Sequence, residues 1–264
     1  MKEDRLFVTA LARGLELLRC FTPDRPELGT TELARLTGLP QPTVWRLCHT
    51  LQQLGYLIPT RAGDRLRAGP GVLTLGSAAV THGGVAESAY PFMKAIAMEF
   101  DASISLAERH RTEMVIVQRA EAASIRRLIL YIGSAVPLTS TSLGGAYLAA
   151  APAAVRAELT AELQAAEGAD PQAVARDIAE AVAQYEQHGH VLNLGRTHPD
   201  INAVAVPIVS RDGRRIMALT CGANRAHTPP EKLAGPMAQA LHGLAARIAP
   251  MLDGDPMGLR ERLD

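Results

Sequence analysis

The spacing of apolar residues changes along this chain, from helical intervals in roughly the first eighty residues to short, strand-like runs afterwards. Near the amino end, Val8, Leu11, Leu15 and Leu18 recur at intervals of three and four residues, and Pro23 follows them. This spacing places the four side chains on one face of a helix, which the proline would end. The sequence therefore predicts an amphipathic first helix that buries this face.

Two short helices joined by a tight turn are predicted between residues 30 and 57. Thr30 or Thr31 could cap the first helix, and Pro42 suits the first turn of the second because its missing N–H would be unpaired there anyway. Gly38 suits a turn that needs a positive φ. The buried face of the second helix is predicted to be Val44, Leu47, Cys48, Leu51 and Leu54. This layout is typical of a helix-turn-helix, although a hairpin of two packing helices would have the same pattern.

A β-hairpin is predicted directly after the second helix. Residues 56–58 and 65–67 are β-prone, and the turn sequence Ala62-Gly63-Asp64 lies between them. Between residues 41 and 70 the chain has four arginines and one acidic residue, although the formal net charge of the whole chain is zero. Positive charge is therefore concentrated where the phosphates of a nucleic acid would lie.

Glycine and proline separate this region from the longer carboxyl-terminal part. Gly69-Pro70-Gly71 precedes an apolar helical run over residues 72–80, and His82-Gly83-Gly84 follows it. We interpret the run as a linker helix whose wide apolar side packs against a partner chain or the neighbouring domain. The predicted organisation is a first domain over residues 1–70, a linker over 71–84, a second domain over 85–252 and a tail over 253–264.

The second domain is predicted to combine short strands with helices. The predicted strands are Ser103–Ala107, Met114–Arg119, Arg127–Ile132, Val191–Leu194, Ala203–Val209 and Ile216–Cys221. The predicted helices cover residues 89–100, 146–150, 152–166, 171–188 and 230–251, and a loop over 133–145 precedes the second of them. This order indicates an antiparallel sheet with helices on its faces, which is an α+β, sensor-like fold.

Composition narrows the classes of function. A chain with a net charge of zero is not expected to bind nucleic acid over its whole surface, so any DNA contact must be local. No apolar run approaches about 18 residues, and the three widely spaced cysteines fit neither a disulfide framework nor a zinc knuckle. We therefore expect a cytoplasmic protein that neither spans a membrane nor is exported. No glycine-rich nucleotide motif lies between a strand and a helix, and no cofactor is expected.

Four sequence runs, in this order, resemble the IclR family of bacterial transcriptional regulators. They are ARGLELLRCF, TELARLTGLPQPTVWRLCHTLQQLGYL, LTSTSLGGAYLAA and NAVAVPIVSRDGRRIMALTCGA, within a resemblance that extends from about Leu6 to Met251. The resemblance implies a winged helix-turn-helix, a linker helix and a GAF-like effector-binding domain, with homodimers that commonly pair into homotetramers. It also implies a ligand-responsive regulator of a catabolic operon rather than an enzyme.

The predicted recognition helix supplies most of the candidate DNA contacts. The candidates are Thr31, Gln41, Thr43, Trp45, Arg46 and His49, together with Arg65 and Arg67 on the wing. Arg46 could bind guanine in a bidentate manner or grip phosphate only, and Trp45 could instead pack at the edge of the core. The wing arginines are expected at phosphates or in the minor groove. Because one domain makes few contacts, we expect a symmetric dimer on a palindromic operator in double-stranded DNA.

The resemblance also places an effector pocket between the sheet and the loop that precedes the short second helix. The matching positions are Ser142, Leu143, Gly144, Asn193, Ala203, Thr220 and Gly222. Backbone N–H groups at a helix N-terminus favour a carboxylate. Where many family members have an acidic run, this chain has Arg196 and His198, which indicates a small organic or aromatic acid as effector. Arg196 could instead be solvated or paired with Asp200.

Three other interpretations of the sequence remain open. Cys221, His227 and Asp200 could form a nucleophile, a base and an orienting carboxylate in a hydrolytic enzyme. His188, His190 and His198 could bind a metal ion. The chain could also be a protein-interaction module that does not bind DNA. We expect neither catalysis nor metal binding, because an apolar strand is typical of a structural thiol and no acidic ligand lies close to the histidine pair.

Overall fold

The chain divides into two compact units, Met1–His82 and Gly83–Asp264. The computed structural model describes residues 6–81, 84–125, 130–166 and 168–253. Within these ranges, no helix is both long and apolar enough to cross a lipid bilayer. The division between the units falls directly after the helix that the sequence predicts as a linker.

The described part of the amino-terminal unit contains four helices and a small antiparallel sheet. The helices are α1 (Thr9–Arg19), α2 (Thr30–Thr37), α3 (Gln41–Gln53) and α4 (Gly71–Thr81), and the strands are β1 (Glu27–Leu28), β2 (Leu57–Pro59) and β3 (Leu66–Ala68). The strand order is β1-β3-β2. The predicted hairpin is confirmed as β2 and β3, and β1 adds a third strand that the sequence pattern did not predict.

The turn between α2 and α3 forms as the sequence predicts, but the start of α2 does not. Gly38 ends α2 with a φ of 66°, a left-handed conformation that glycine adopts without steric cost. The prediction of a threonine cap is wrong, because Thr30 and Thr31 both lie inside the helix and Gly29 is the N-cap residue. Glu32 replaces the threonine by accepting a hydrogen bond from the Gly29 N–H at 2.9 Å.

All elements of this unit from α1 to β3 contribute to one small hydrophobic core. Its buried members are Leu17, Leu28, Leu33, Val44, Cys48, Leu57 and Leu66. Two sequence predictions are wrong here. Leu54 follows the last residue of α3 and is 62% exposed, and α1 buries Leu17 whereas Leu11 and Leu15 are 62% and 51% exposed. The apolar stripe of α1 is therefore wider than the side that packs on the core.

The carboxyl-terminal unit is built on a six-stranded antiparallel sheet. In chain order its elements are α5 (Val85–Phe100), β4 (Ser103–His110), β5 (Glu113–Glu121), β6 (Ala135–Pro137), α6 (Ser142–Ala150), α7 (Ala153–Gln164), α8 (Pro171–His188), β7 (Val191–Leu194), β8 (Ile201–Val209), β9 (Ile216–Asn224), α9 (Pro230–Lys232) and α10 (Ala238–Leu252). The strand order is β6-β5-β4-β9-β8-β7. The predicted α+β fold is confirmed.

Three element boundaries differ from the prediction. In the predicted strand Arg127–Ile132, residues 127–129 lie outside the described part, residues 130–132 are not in a strand, and the third strand is β6. α6 begins at Ser142 rather than Ala146, because the Thr141 hydroxyl accepts a hydrogen bond from the Gly144 N–H at 3.0 Å and caps the helix. A π-helical segment that contains Pro236 separates α9 from α10, as expected where a proline removes a helical N–H.

The two faces of the large sheet bury different cores. Successive side chains of a strand point to opposite faces, so in β9 Leu219 and Cys221 face one way and Ala218 and Thr220 the other. The first face packs against α5 and α10 through large side chains. The second face packs against α6 and α8 with smaller residues at its centre, such as Ala205 and Ala218. A cavity borders this second face.

Two glycines in helices offer a matched test of the packing. A Cβ added at Gly144 would lie 2.1 Å from the Leu138 carbonyl oxygen, whereas a Cβ at Gly243 in α10 would meet nothing within 4 Å. We expect Gly144→Ala to destabilise the protein by about 1–3 kcal/mol through overpacking. Gly243→Ala should leave the free energy of unfolding unchanged or raise it by about 1 kcal/mol, because alanine has the higher helix propensity. Thermal unfolding followed by circular dichroism would measure both, and equal melting temperatures of the two variants would contradict this packing.

Candidate functional site

One side of α3 is exposed along its whole length, and it carries most of the predicted DNA-contacting residues. Gln41, Trp45, Arg46 and His49 are exposed, and Thr43 is half-buried. The opposite side is fixed in the core by Val44 and Cys48, which are almost fully buried. A helix that enters a DNA groove needs such a division, with one face packed and the other available.

An aromatic pair stands at the middle of this exposed side. Trp45 and His49 lie one helical turn apart, and their rings stack with centroids 5.7 Å apart and an interplanar angle of 11°. Trp45 is 60% exposed. The alternative interpretation, in which Trp45 packs at the edge of the core, is therefore wrong.

Two contacts connect α2 with the remainder of this surface. The Gln41 Nε2 donates a hydrogen bond to the Thr31 Oγ1 at 3.0 Å, so the first turn of α3 is joined to α2 and both side chains remain exposed. On the wing, the Arg65 guanidinium donates to the Glu32 carboxylate. The hydrogen bond from the Gly29 N–H, followed by the charge of Arg65, lowers the pKa of Glu32.

Arg65 lies directly before β3 and has an ion-pair partner in α2. It joins the wing to Glu32 across 33 positions of sequence, while both side chains stay more than 40% exposed, and its predicted phosphate contact stays a prediction. Arg61 and Arg67 are exposed, and no salt bridge to them occurs within the described ranges. They are thus also available to phosphates.

In the carboxyl-terminal unit, a cavity of about 110 Å³ opens on the second face of the sheet. Six of the predicted effector residues line it, namely Ser142, Leu143, Asn193, Ala203, Thr220 and Gly222. Gly144 does not line it, because its backbone packs on Leu138. The sequence prediction missed Ser103, Ser105 and Arg119, which also line the cavity. Polar residues in an otherwise apolar strand were the signal that could have revealed Ser103 and Ser105.

The pairing of the strands explains why the sheet is open at this place. One row of directly paired residues across the sheet is Glu121, Ser103, Gly222, Ala203 and Asn193, and the next row is Arg119, Ser105, Thr220 and Ala205. Directly paired residues of antiparallel strands point to the same face. Most of these side chains are small, and several are polar. They cannot fill the space that large apolar residues fill elsewhere in the sheet.

The helix α6 borders the cavity with hydrogen-bond donors. Thr220 donates its hydroxyl hydrogen to the Val204 carbonyl at 3.0 Å, so Ser142 is the donor in the 3.2 Å contact between the two hydroxyls. The N–H groups of Ser142 and Leu143 lie in the first turn of α6, where no preceding helical carbonyl can accept them. The helix dipole adds partial positive charge there. This end of the cavity can therefore accommodate an oxygen acceptor.

Asn193 positions the wall of the cavity. Its Nδ2 donates to the Ser140 carbonyl at 2.7 Å. Its Oδ1 accepts from the backbone N–H groups of Arg196 and Thr197 at 3.1 and 3.2 Å. These contacts hold the loop after β7 against the segment that precedes α6. With both ends of its amide group used, Asn193 organises the cavity wall.

Arg196 lies outside the cavity. Its guanidinium binds the carboxylates of Asp177 and Glu180 on α8, at 2.6 and 3.2 Å. Arg196 is exposed, as the solvated alternative expects, but its ion-pair partners are these two carboxylates and not the predicted Asp200. His198 does line the cavity, and its Nδ1 accepts the Asp200 N–H at 3.3 Å.

The residues of the enzyme alternative are not brought together. Cys221 is fully buried on the face of the sheet opposite the cavity, and burial raises the pKa of its thiol to about 12. His227 is exposed on a short 3-10 turn after β9. A nucleophilic thiol needs a lowered pKa and access to substrate, and Cys221 has neither.

The predicted histidine ligands are also separated. The rings of His188 and His190 stack with centroids 5.7 Å apart, but the third histidine near them is His242 and not His198. Burial lowers the pKa of both His190 and His242. In the part of the chain that the structure describes, no three His, Cys, Asp or Glu side chains are placed to hold a metal ion.

Two family descriptions match most of the chain. Residues 10–58 match the IclR helix-turn-helix domain, and residues 77–249 match the C-terminal domain of the bacterial transcriptional regulator IclR. The HTH-type transcriptional regulator TsaQ1/TsaQ2 of Comamonas testosteroni is 33% identical over 205 residues, which cover 76% of this chain and 73% of that protein.

Solved structures agree with these sequence matches. The crystal structure of an IclR family transcriptional regulator from Brucella abortus is 37% identical, covers 94% of both chains and superposes with a TM-score of 0.84. An IclR homolog from Microbacterium hydrocarbonoxydans, solved in complex with 4-hydroxybenzoate, is 23% identical. It covers 93% of this chain and 99% of that chain, has a TM-score of 0.69, and shares the fold.

The burial of the thiols predicts their reactivity. Burial raises the pKa of all three thiols, to about 11 for Cys48 and about 12 for Cys221, but Cys20 is only half-buried. Because the thiolate is the reactive form, N-ethylmaleimide at mildly alkaline pH should modify Cys20 well before the other two in the native protein. Mass spectrometry of tryptic peptides would measure the order. All three should react in denaturant, which is the control, and rapid modification of native Cys221 would contradict its burial.

Proposed function

Because the chain belongs to the IclR family of bacterial transcriptional regulators, we propose that it binds DNA near a catabolic operon and changes its DNA affinity when a small organic acid binds. Members of this family are transcriptional regulators and not enzymes. The observation that carries the proposal is the position of α3, whose buried side is locked in the core while Arg46, Trp45 and His49 are exposed on the other. The proposed site of action is the cytoplasm, where bacterial DNA lies.

The proposed DNA contacts are of two kinds, namely contacts to base edges, which recognise sequence, and contacts to phosphates, which do not. α3 enters the major groove, where Arg46 binds guanine, and the Trp45–His49 pair lies against the neighbouring base or sugar edges. Arg61 and Arg67 on the wing contact phosphates or the minor groove. Arg65 braces the wing against α2 through Glu32, and this support explains how so short a hairpin holds its position.

The amino-terminal unit also has an exposed apolar surface that another chain is expected to cover. Leu11, Leu15, Leu54 and Leu75 are each more than half exposed, and they line a groove of about 700 Å³. A monomeric protein rarely exposes so continuous an apolar surface. Thr43 and Arg46 line the same groove, so the second copy covers the part formed by Leu11, Leu15 and Leu75 and leaves Arg46 to the DNA. The resulting symmetric homodimer has two recognition helices that read two half-sites of a palindromic operator.

The cavity of the carboxyl-terminal unit is the proposed effector site. Its volume of about 110 Å³ and its mixture of apolar and hydrogen-bonding residues suit a small organic acid. The Microbacterium homolog that was solved with 4-hydroxybenzoate supports an aromatic acid as one such class. Binding of the acid biases the chain towards one of two states that differ in DNA affinity, and the same coupling makes DNA change the affinity for the acid.

Substitution of Arg46 tests the recognition surface. We expect Arg46→Ala to weaken binding to the DNA upstream of the protein's own gene by about 1–3 kcal/mol, because a bidentate base contact is lost. Arg176→Ala is the matched control, because it removes an exposed arginine from α8 in the other unit. Fluorescence anisotropy at constant salt would measure both. If the two variants bound this DNA with equal affinity, α3 would not be the element that recognises the DNA sequence.

Substitution of Leu11 tests the proposed dimer surface. Leu11→Glu places a charge in the groove and should weaken binding to DNA with two half-sites by tenfold or more, on the order of 1.4 kcal/mol. Binding to a single half-site should not change. Met98→Glu is the control, because Met98 is similarly exposed and lies outside the groove. If Leu11→Glu bound the paired half-sites as tightly as wild type, a second copy would not cover this surface.

A further inference from the structure

The cavity contains a buried cation that the predicted effector residues do not supply. Arg119 on β5 lines it, and only 8% of the Arg119 side chain is exposed. Burial lowers the pKa of this guanidinium. Removing a charge from water costs free energy unless the charge is paired and hydrogen-bonded. A buried arginine at a cavity therefore indicates a site for an oxygen acceptor or an anion.

A β-bulge directs Arg119 into the cavity. Opposite Leu106 and Ala107 of β4, the pairing passes from Gln118 to Ile116, so Val117 is the additional residue. Strict alternation would put Met114 and Arg119 on opposite faces, because five positions separate them. The bulge reverses the alternation, so that Arg119 pairs with Ser105 on the cavity face. Bulges re-aim side chains in this way, often at functional sites.

The hydrogen bonds of Arg119 leave part of its binding capacity unused. The Nη1 donates to the Ser105 Oγ at 3.0 Å, and the Nε and Nη2 donate to Glu121 at 3.4 and 3.3 Å. A guanidinium has five N–H groups. Within the described ranges, these contacts leave two N–H groups, one on each terminal nitrogen, without a protein acceptor. Glu121 is itself 48% exposed, so solvent screens its charge.

Ser105 adds a donor at the same place. Its Oγ accepts from Arg119, and its own hydroxyl hydrogen has no acceptor among the residues that the structure describes. Its neighbour on β9, Thr220, already donates to the Val204 carbonyl. The Ser105 hydroxyl and the Arg119 guanidinium thus converge as donors. A carboxylate, with two oxygens and about four lone-pair sites, complements this arrangement.

The remainder of the cavity limits the size and character of the ligand. Apolar walls are formed by Leu130, Val136, Leu143 and Ile201. At about 10–15 Å³ for each water, a cavity of about 110 Å³ has room for roughly seven to eleven waters. A ligand with on the order of ten non-hydrogen atoms occupies similar space. These limits fit a carboxylate attached to one compact apolar body.

We propose that Arg119 and Ser105 form the carboxylate-binding end of this cavity, and that the effector is a small organic acid whose apolar body lies against Val136 and Leu143. This inference rests on the proposed function, because it takes the cavity as the effector site. It assigns the recognition of charge to β4 and β5. Arg196 is not available for that role, since Asp177 and Glu180 on α8 hold it.

The test compares acids with their neutral analogues on the full-length protein. Benzoate, phenylacetate and hexanoate would each be titrated beside the corresponding carboxamide by isothermal calorimetry. Wild type should bind at least one acid tenfold or more tightly than its amide. Arg119→Met should bring that ratio close to one, and Arg119→Lys should keep the preference at lower affinity. Arg196→Met, the matched control, should retain the wild-type ratio.

The possible outcomes separate this inference from the proposed function. Thermal unfolding followed by circular dichroism would verify that the variants are folded, and their binding to the DNA upstream of the protein's own gene would be measured without added acid. An acid preference that survives in Arg119→Met would overturn the inference, and so would the failure of all three acids to bind wild type at millimolar concentration. In either case normal DNA binding would leave the DNA-binding function intact. Loss of salt-dependent DNA binding by wild type would instead refute the proposed function.

Discussion

The alternation of side chains across the six-stranded sheet is the constraint on which the carboxyl-terminal unit depends. One face must be filled by large apolar residues against α5 and α10, and this places Cys221 in a closed core with a thiol pKa of about 12. The other face carries Thr220, Ser105 and other small or polar residues, which leave a cavity. The same pattern that buries the thiol also leaves this cavity, in which we propose that the unit recognises a molecule rather than transforming it.

In the amino-terminal unit, too, the division of an element into a buried and an exposed side decides which residues are available for binding. The core of this unit is only large enough to hold one side of α3, so the other side remains exposed with Arg46 at its centre. The contact between Arg65 and Glu32 joins the wing to α2. The surplus of apolar surface on α1 and near the end of α3 is a second consequence of the small core, and a partner chain can use that surface.

Periodicity predicts those features that depend on neighbours in sequence. Local spacing predicts the buried face of α3, the positive φ of Gly38 and the hairpin after α3. The family resemblance predicted six of the residues that line the cavity. The failures involve tertiary context. Leu17 rather than Leu11 is buried because of where α1 meets the core, and Arg65 finds Glu32 across 33 positions. Arg119 was missed because the face to which it points depends on a bulge, which only the pairing of β4 with β5 reveals.

The central claim is that occupation of the cavity by an organic acid and binding of DNA by α3 are thermodynamically coupled. The most direct measurement is the DNA affinity of the full-length protein for the region upstream of its own gene, over a range of salt concentrations, with and without a saturating acid. The account predicts affinity that falls with salt and that a bound acid shifts by about 1–3 kcal/mol. An affinity that does not depend on salt, or one that a saturating acid leaves unchanged, would contradict it.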